Sequence, residues 1–274
     1  SYKSKGQSLY FKEYDNPAQN NGRSDGCDHD KSDSVFAKIS MKGLTLEGAY
    51  NSRSKGIPTG AWATTFNESS NKTTDDNGFL DLKYEKGFSN GSKMLARAYY
   101  GRYKYEGLYL IGPINKDTSL GEWWGTELQL EKTFFEKHRV TVGGEYLDNF
   151  TQNQNNYNTD PFIENLDDKR RSNNWGIYLQ DEFTIRKDLI LNAGIRYDRY
   201  QTFGDTTNPR LALIYKPVNT TAVKLIYGEA FRAPSAYENH YHDGWVSQKP
   251  RVATSSTRHP FNNERTSHRA ICAV

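Results

Sequence analysis

The sequence predicts an all-β chain, an antiparallel up-and-down transmembrane β-barrel, and three observations carry that expectation. Almost every periodic segment alternates apolar and polar residues at period two, the mark of a strand with unlike faces. The segments run about ten residues, the length at which a tilted strand crosses a bilayer. Their connections alternate between short and long, as tight turns and long outer loops do in such barrels.

Composition agrees. Leu, Ile, Val and Phe make only 52 of 274 residues, a poor supply for a soluble core, yet 14% of the chain is aromatic, which disordered chains are not. At roughly 150 residues per domain the length allows one large domain or two small ones. The net charge of +3 is too near zero to suggest a nucleic-acid binder or a polybasic membrane-surface protein. The longest apolar run, residues 211–215, is far short of the roughly 20 residues of a spanning helix. No charged and apolar leader opens the chain, so any signal peptide is expected outside this stretch, and the chain reads as a fragment. Cys27 and Cys272 form no disulfide framework or zinc set and read as incidental thiols.

Taken in order, Val35, Ala37, Ile39 and Met41 alternate with Phe36, Lys38 and Ser40; after Lys42-Gly43, Leu44, Leu46 and Tyr50 alternate with Thr45 and Glu47, which makes a hairpin. Leu80, Leu82 and Tyr84 oppose Asp81, Lys83 and Glu85, and Met94, Ala96, Ala98 and Tyr100 oppose Arg97. Trp124, Leu128 and Leu130 stand against Glu127, Gln129 and Glu131, and Val140, Val142 and Tyr146 against Thr141 and Glu145. Trp175, Ile177 and Leu179 alternate with Tyr178 and Gln180, and Leu189, Leu191, Ala193, Ile195 and Tyr197 with Asn192, Arg196 and Asp198. Residues 211–216 and 221–232 complete ten strands.

Short connections are expected at 42–43, 87–92, 134–138, 186–188 and 217–220, and long ones at 52–78, 106–122, 148–173 and 200–207. A β-sandwich with one wet face is the rival, but its strands are nearer five or six residues and its loops lack this alternation. The charged set of faces suits a watery or plugged lumen, and the apolar set suits lipid. Tyr103, Tyr105, Trp123, Trp124, Trp175 and Tyr200 near the long loops, with Phe88, Phe134 and Phe135 near the short turns, would form the two aromatic belts.

Several stretches then resemble TonB-dependent outer-membrane receptors. They are residues 9–15 (LYFKEYD) with Asn20-Asn21-Gly22, residues 51–59 (NSRSKGIPT), Tyr178-Leu179-Gln180-Asp181-Glu182, and Gly194-Ile195-Arg196-Tyr197-Asp198. The most specific is Asn208-Pro209-Arg210 followed by Tyr227-Gly228-Glu229-Ala230-Phe231-Arg232-Ala233-Pro234-Ser235. The resemblance, over about residues 1–249, implies a 22-strand plugged barrel of which ten strands are a part. It further implies a plug and a TonB box upstream, energy from TonB, outer-membrane lipid as surroundings, and a ferric siderophore or similar scarce nutrient, such as cobalamin or heme, as ligand. It divides the chain into the end of a barrel strand and an outer loop over 1–33, a barrel segment over 34–249, and an aberrant or disordered tail over 250–274, where the family's continuing pattern is missing.

Long loops on a rigid scaffold are where ligand contacts concentrate. Loop 52–78 offers Arg53, Lys55, Trp62 and Phe66, and loop 148–173 offers Tyr157, Arg170 and Arg171; basic and aromatic groups together would suit an anionic aromatic chelate. Arg196 and Arg232 are expected to face the plug, where a charge withdrawn from water needs a carboxylate partner. The clusters Cys27-Asp28-His29-Asp30 and His240-x-His242-Asp243 lack the spacing of a defined zinc site, and no cofactor or metal is expected. No nucleophile elbow, Walker loop, HExxH or dinucleotide fingerprint is present, so no enzyme is expected. The alternatives are a barrel protease or lipase, recruiting Asp148, Asp198, Asp205, His240 or His242 at the rim, or an open porin.

Overall fold

The computed structural model describes residues 1–218 and 220–242, together with the backbone of residues 270–273. Three short strands open the chain, β1 (Tyr2–Ser4), β2 (Ser8–Tyr10) and β3 (Arg23–Asp25). The next five are β4 (Asp30–Met41), β5 (Leu44–Gly56), β6 (Lys72–Gly87), β7 (Lys93–Leu110) and β8 (Ile114–Phe134). They continue into β9 (His138–Thr159), β10 (Phe162–Arg186), β11 (Leu189–Tyr200), β12 (Gly204–Val218) and β13 (Thr221–Gly228). A short helix, α1 (Ala236–His240), and strand β14 (Ala270–Ala273) follow. Strands β4 to β13 are the ten expected segments, each antiparallel to the next in one open twelve-stranded sheet that also holds β1 and β14; β2 and β3 pair separately. The expectation for the tail falls outside the described residues except at β14, whose backbone pairs with β13.

The short turns lie where the alternation breaks. Lys42 and Gly43 both take positive φ, 49° and 84°, the backbone of a two-residue hairpin turn, and a Cβ on Gly43 would meet Glu85 O at 2.3 Å. The long connections differ from expectation. Residues 106–122 and 148–173 are not loops but the outer ends of β7 to β10, which continue pairing to tips at 111–113 and 160–161. Of the four long connections expected, only the one between β5 and β6 is long and irregular, over residues 57–71, and the one at 200–207 shortens to 201–203. The cause is chemical: at roughly 3.3 Å per residue, the 25 residues of β10 extend far beyond a bilayer, and strands wetted on both sides show no apolar period.

Register places the two faces. Ile39, Leu46, Leu82, Ala98, Thr126, Tyr146 and Trp175 pair in sequence across the sheet, and the same face carries Leu130, Val142, Leu179, Ile195, Leu211 and Tyr227. It is uncovered: Ile39 is 69% exposed, and among the described residues only Cys27, Leu166 and Ala212 are buried apolar side chains. An apolar sheet face with no internal core requires an apolar surrounding, which a bilayer supplies. Cys27 is a free, buried thiol near Asp25 O and Asn67 Oδ1.

The opposite face is a lattice of charge and phenol. Arg97 Nε donates to Asp81 at 2.6 Å, Tyr178 Oη donates to Glu127 at 2.8 Å, and Arg196 bridges Glu145 and Asp198. Glycines let rings lie flat on this lattice. A Cβ on Gly125 would stand 2.4 Å from Tyr99, one on Gly143 2.3 Å from Tyr178, and one on Gly101 2.3 Å from Trp123. Each ring covers backbone that a glycine would otherwise leave bare.

The aromatic belt is corrected by the same register. On the apolar face it consists of Tyr50, Tyr100, Trp124, Tyr146, Trp175 and Tyr197, with Trp124 and Tyr146 5.5 Å apart and Trp175 and Tyr197 5.7 Å apart. Tyr103, Tyr105, Trp123 and Tyr200 sit on the inward face, one residue out of phase. At the short-turn end the Lys86 ammonium lies over Phe88 and that of Lys132 over Phe134, both at 5.4 Å.

Candidate functional site

Above the belt, the inward face of the outer hairpins carries an amide ladder. Gln152, Gln154, Asn156 and Asn158 alternate along β9 opposite Gly121, Ser119, Asp117 and Asn115 of β8. Asn115 Nδ2 donates to Asn156 Oδ1 at 2.8 Å and Asn158 Oδ1 at 2.9 Å, and Asn165 Nδ2 donates to Asn156 Oδ1 at 2.9 Å. Burial without such partners would cost each amide about 1–3 kcal/mol, so the ladder holds the hairpins where apolar packing is missing. Gln154 is only 4% exposed, and both its amide atoms are buried without a hydrogen-bond partner.

Two segments converge on this ladder. From one side, the stretch carrying α1 lays Tyr241 against it, its hydroxyl bonding Asp117 and accepting from Asn156 Nδ2 at 3.3 Å. Helix α1 is started by a capping box in which Glu238 N–H donates to Ser235 Oγ and Ser235 N–H donates to Glu238. From the other side, fully buried Asn71 staples loop 57–71: its Nδ2 donates to Thr65 O at 2.9 Å and its Oδ1 accepts from Leu110 N–H at 2.7 Å. That anchor sets Trp62, at φ 56° and 71% exposed, edge-on to Tyr109 at 5.6 Å. Tyr109 in turn bonds Tyr105, and burial raises both phenols above their ordinary value.

The sequence candidates divide. Arg53 forks onto Asp30 at 3.1 and 2.6 Å, holding that carboxyl below its usual range, and Lys55 lies 3.7 Å from the same carboxylate while donating to Asp28 O. Phe66 stacks on Tyr14 at 4.1 Å and meets Phe11 edge-on, which fixes the loop from behind. Tyr157 is on the outward face beside Phe162, and Arg171 is bound bidentate to Asp148 on that same face. Arg170, on the inward face, donates Nε to Asp168 at 2.6 Å and stands close enough to His240 to act with burial in lowering that imidazole's pKa. Arg196 is inward with Glu145 and Asp198, whereas Arg232 forks onto Glu238 at 2.7 and 2.8 Å within its own segment and drives that carboxyl down to about 2. The structure therefore brings Trp62 and Arg170 toward the ladder, and it leaves Tyr157 and Arg171 on the other side of the sheet.

Sequence reasoning missed Tyr105, Tyr109, Asn115, Gln154, Asn156 and Asn158. The three from β9 lie in a nearly unbroken amide run, residues 152–158 with only Tyr157 interrupting it, invisible to a search for apolar alternation. Among the described residues, no group of three or more His, Cys, Asp or Glu could hold a metal ion, which covers the cluster at 27–30; Asp243 of the second cluster lies outside them.

No curated protein matches this sequence. Among solved structures the sheet is similar to the ferric enterobactin receptor of Pseudomonas aeruginosa, with 15% identity, TM-score 0.58, and coverage of 77% of this chain and 34% of that one. It is also similar to the ferric citrate transporter FecA, with 16% identity, TM-score 0.59, and coverage of 76% and 37%. The siderophore receptor PirA from Acinetobacter baumannii gives 16% identity, TM-score 0.55, and coverage of 77% and 35%. The chain thus spans about a third of the length of these receptors, which are outer-membrane proteins. Residues 5–264 match the family described as TonB dependent receptor-like, beta-barrel, whose members are transporters rather than enzymes. With its alternating strands, lipid-suited outer face and charged inner face, the chain belongs to the TonB-dependent receptor β-barrel family and is a segment of an outer-membrane barrel.

Proposed function

We propose that the whole receptor containing this segment takes up a ferric siderophore or a chemically similar scarce nutrient across the outer membrane, driven by TonB and gated by a plug that contacts the inner lattice around Arg196. The observation that carries this reading is the vestibule above the aromatic belt, where Trp62, Tyr109 and the amide ladder line the inward face of hairpins too long for membrane crossing alone. A catalytic role has no comparable support, since the carboxylates near the rim are engaged: Asp148 by Arg171 and Asp198 by Arg196. The similar receptors for ferric enterobactin and ferric citrate add weight to iron as cargo.

The test is deletion of residues 57–71 or of the outer β9–β10 hairpin, residues 149–173, from the full-length receptor. Each deletion is expected to abolish cargo binding while the barrel still reaches the membrane. Unchanged binding and growth on every candidate iron source after both deletions would reject the vestibule as the site.

A further inference from the structure

The lipid face of the sheet is not smooth. Between Tyr50 and Tyr100 it is cut by an apolar groove of about 450 Å³. Register accounts for it: Gly48 and Gly78 are diagonal neighbours on this face, opposite Leu80 and Tyr50, and Ala37 pairs with Gly48 from the other side. Leu80 and Tyr50 lean over the two glycines, since a Cβ on Gly48 would stand 2.8 Å from Leu80 Cδ2 and one on Gly78 3.3 Å from Tyr50 Cδ2. The flanking rings are tied at their hydroxyls, Tyr50 Oη donating to Asp76 at 3.3 Å and Tyr100 Oη to Glu122 at 2.9 Å. Every lining residue comes from β4 to β7, four consecutive strands, so the groove is whole within this segment.

Arg102 stands at its upper end, two residues beyond Tyr100 on the same face, where the aromatic belt gives way to headgroups. Other cations of the outward face are committed: Arg171 is bidentate to Asp148, and Lys104 is held by Glu106. Arg102 has only a loose contact. Its Nε lies 3.5 Å from the Glu122 oxygen that already accepts from Tyr100, and among the described residues its guanidinium makes no hydrogen bond. A planar fork left unclaimed at that level matches a phosphate in both charge and geometry.

We propose that the groove seats one acyl chain of a phosphate-bearing lipid of the outer leaflet, with Arg102 on its phosphate. The occupant follows from the surroundings, because the groove continues the surface that meets the bilayer. An unfilled recess there forfeits dispersion contacts on every wall, and a chain lying in it regains them. A basic group beside an apolar slot then favours an anionic headgroup over a neutral one. The site lies on the opposite face from the vestibule and does not rest on the uptake reading.

The experiment uses the full-length receptor, stripped of lipid in detergent and titrated with dimyristoyl phosphatidic acid or with dimyristoylglycerol, which has the same chains and no phosphate. Native mass spectrometry counts the lipids bound per receptor, and heat-modifiability on gels confirms folding. Arg102→Gln and, separately, Ala37→Leu, which fills the groove, are each expected to lose one tightly bound phosphatidic acid per receptor, with that site weakened at least tenfold. Dimyristoylglycerol binding should fall in Ala37→Leu and stay unchanged in Arg102→Gln. The same number of tightly bound phosphatidic acids in the unaltered receptor and in either folded variant, zero included, would overturn the proposal.

Discussion

The lower and upper halves of β8, β9 and β10 are the same strands in two solvents. In the lower half Leu130, Val142 and Leu179 look outward and Gln129, Thr141 and Gln180 inward, so every second residue is apolar. In the upper half Asn153, Asn155 and Tyr157 look outward while Gln154, Asn156 and Asn158 look inward, and both sides are polar. The backbone ladder is continuous through both, and what changes is the source of lateral cohesion. Below the belt it comes from the bilayer on one side and glycine-seated rings with ion pairs on the other. Above it, side-chain amides bond to one another across the strands. Strand formation is therefore set by backbone pairing, and the apolar alternation reports only where that strand meets lipid.

The comparison can be broken most severely from below. Leu191→Arg or Val142→Arg in the full receptor places a charge on the lipid face and is expected to cost about 2–4 kcal/mol near the midplane, enough to block assembly. Heat-modifiability on gels and outer-membrane yield measure it. The same substitution at Asn155, on the outward face but above the belt, should assemble normally.

A smaller effect is expected from the glycine seats. Gly143→Val would force the Tyr178 ring off its position and disturb its bonds to Glu127 and Gln129, destabilising the barrel by about 1–3 kcal/mol. Pairing it with Tyr178→Ala should recover part of that loss, and a double-mutant cycle in a folding titration checks the coupling.

In the upper half, Asn156→Ala removes the hub that serves Asn115, Asn165 and Tyr241. The cost, about 1–3 kcal/mol, should be local: faster hydrogen exchange in residues 149–173 with an unaltered membrane segment.

The smallest effect is a pH response at α1. Both shifted groups there have pKa values below their ordinary ones, so the docked state binds fewer protons than the released state, and docking strengthens as pH rises. The His240 contribution is complete above its ordinary value of 6.5 and declines as pH falls below it. The Glu238 contribution persists to its ordinary 4.5 and is lost as pH falls toward about 2. Amide exchange of α1, corrected for intrinsic rates, should therefore accelerate in two steps on acidification; protection independent of pH would sink this account of the cap.

The ten strands, their order, the tight turns and the lipid face were legible in the sequence because Leu, Ile and Val alternate wherever lipid is met. Hairpin length was not legible, since residues 152–158 are nearly all Asn and Gln and residues 164–173 are mostly charged or polar, and such a stretch looks like loop to any apolar measure. For the same reason Trp62 was legible as an exposed ring and Gln154 was not. Pairing was the deeper obstacle: Arg53 and Asp30 are 23 positions apart and Arg171 and Asp148 equally so, and only the register shows that these cations are committed. Arg232 has its carboxylate partner close in sequence, since the capping box that holds Glu238 lies six residues on in its own segment.

The central claim, one set of strands with a lipid-sorted lower half and a doubly wetted upper half, is tested most directly by single cysteines along β9. In a full-length receptor whose native cysteines are replaced, positions 141–144 and 152–155 would each be labelled in intact membranes with a charged maleimide and, separately, with a bilayer-confined one. The account predicts that Val142→Cys takes only the bilayer-confined reagent, and that Asn153→Cys and Asn155→Cys take only the charged one. Bilayer labelling of Asn153→Cys or Asn155→Cys, or charged labelling of Val142→Cys, would contradict it.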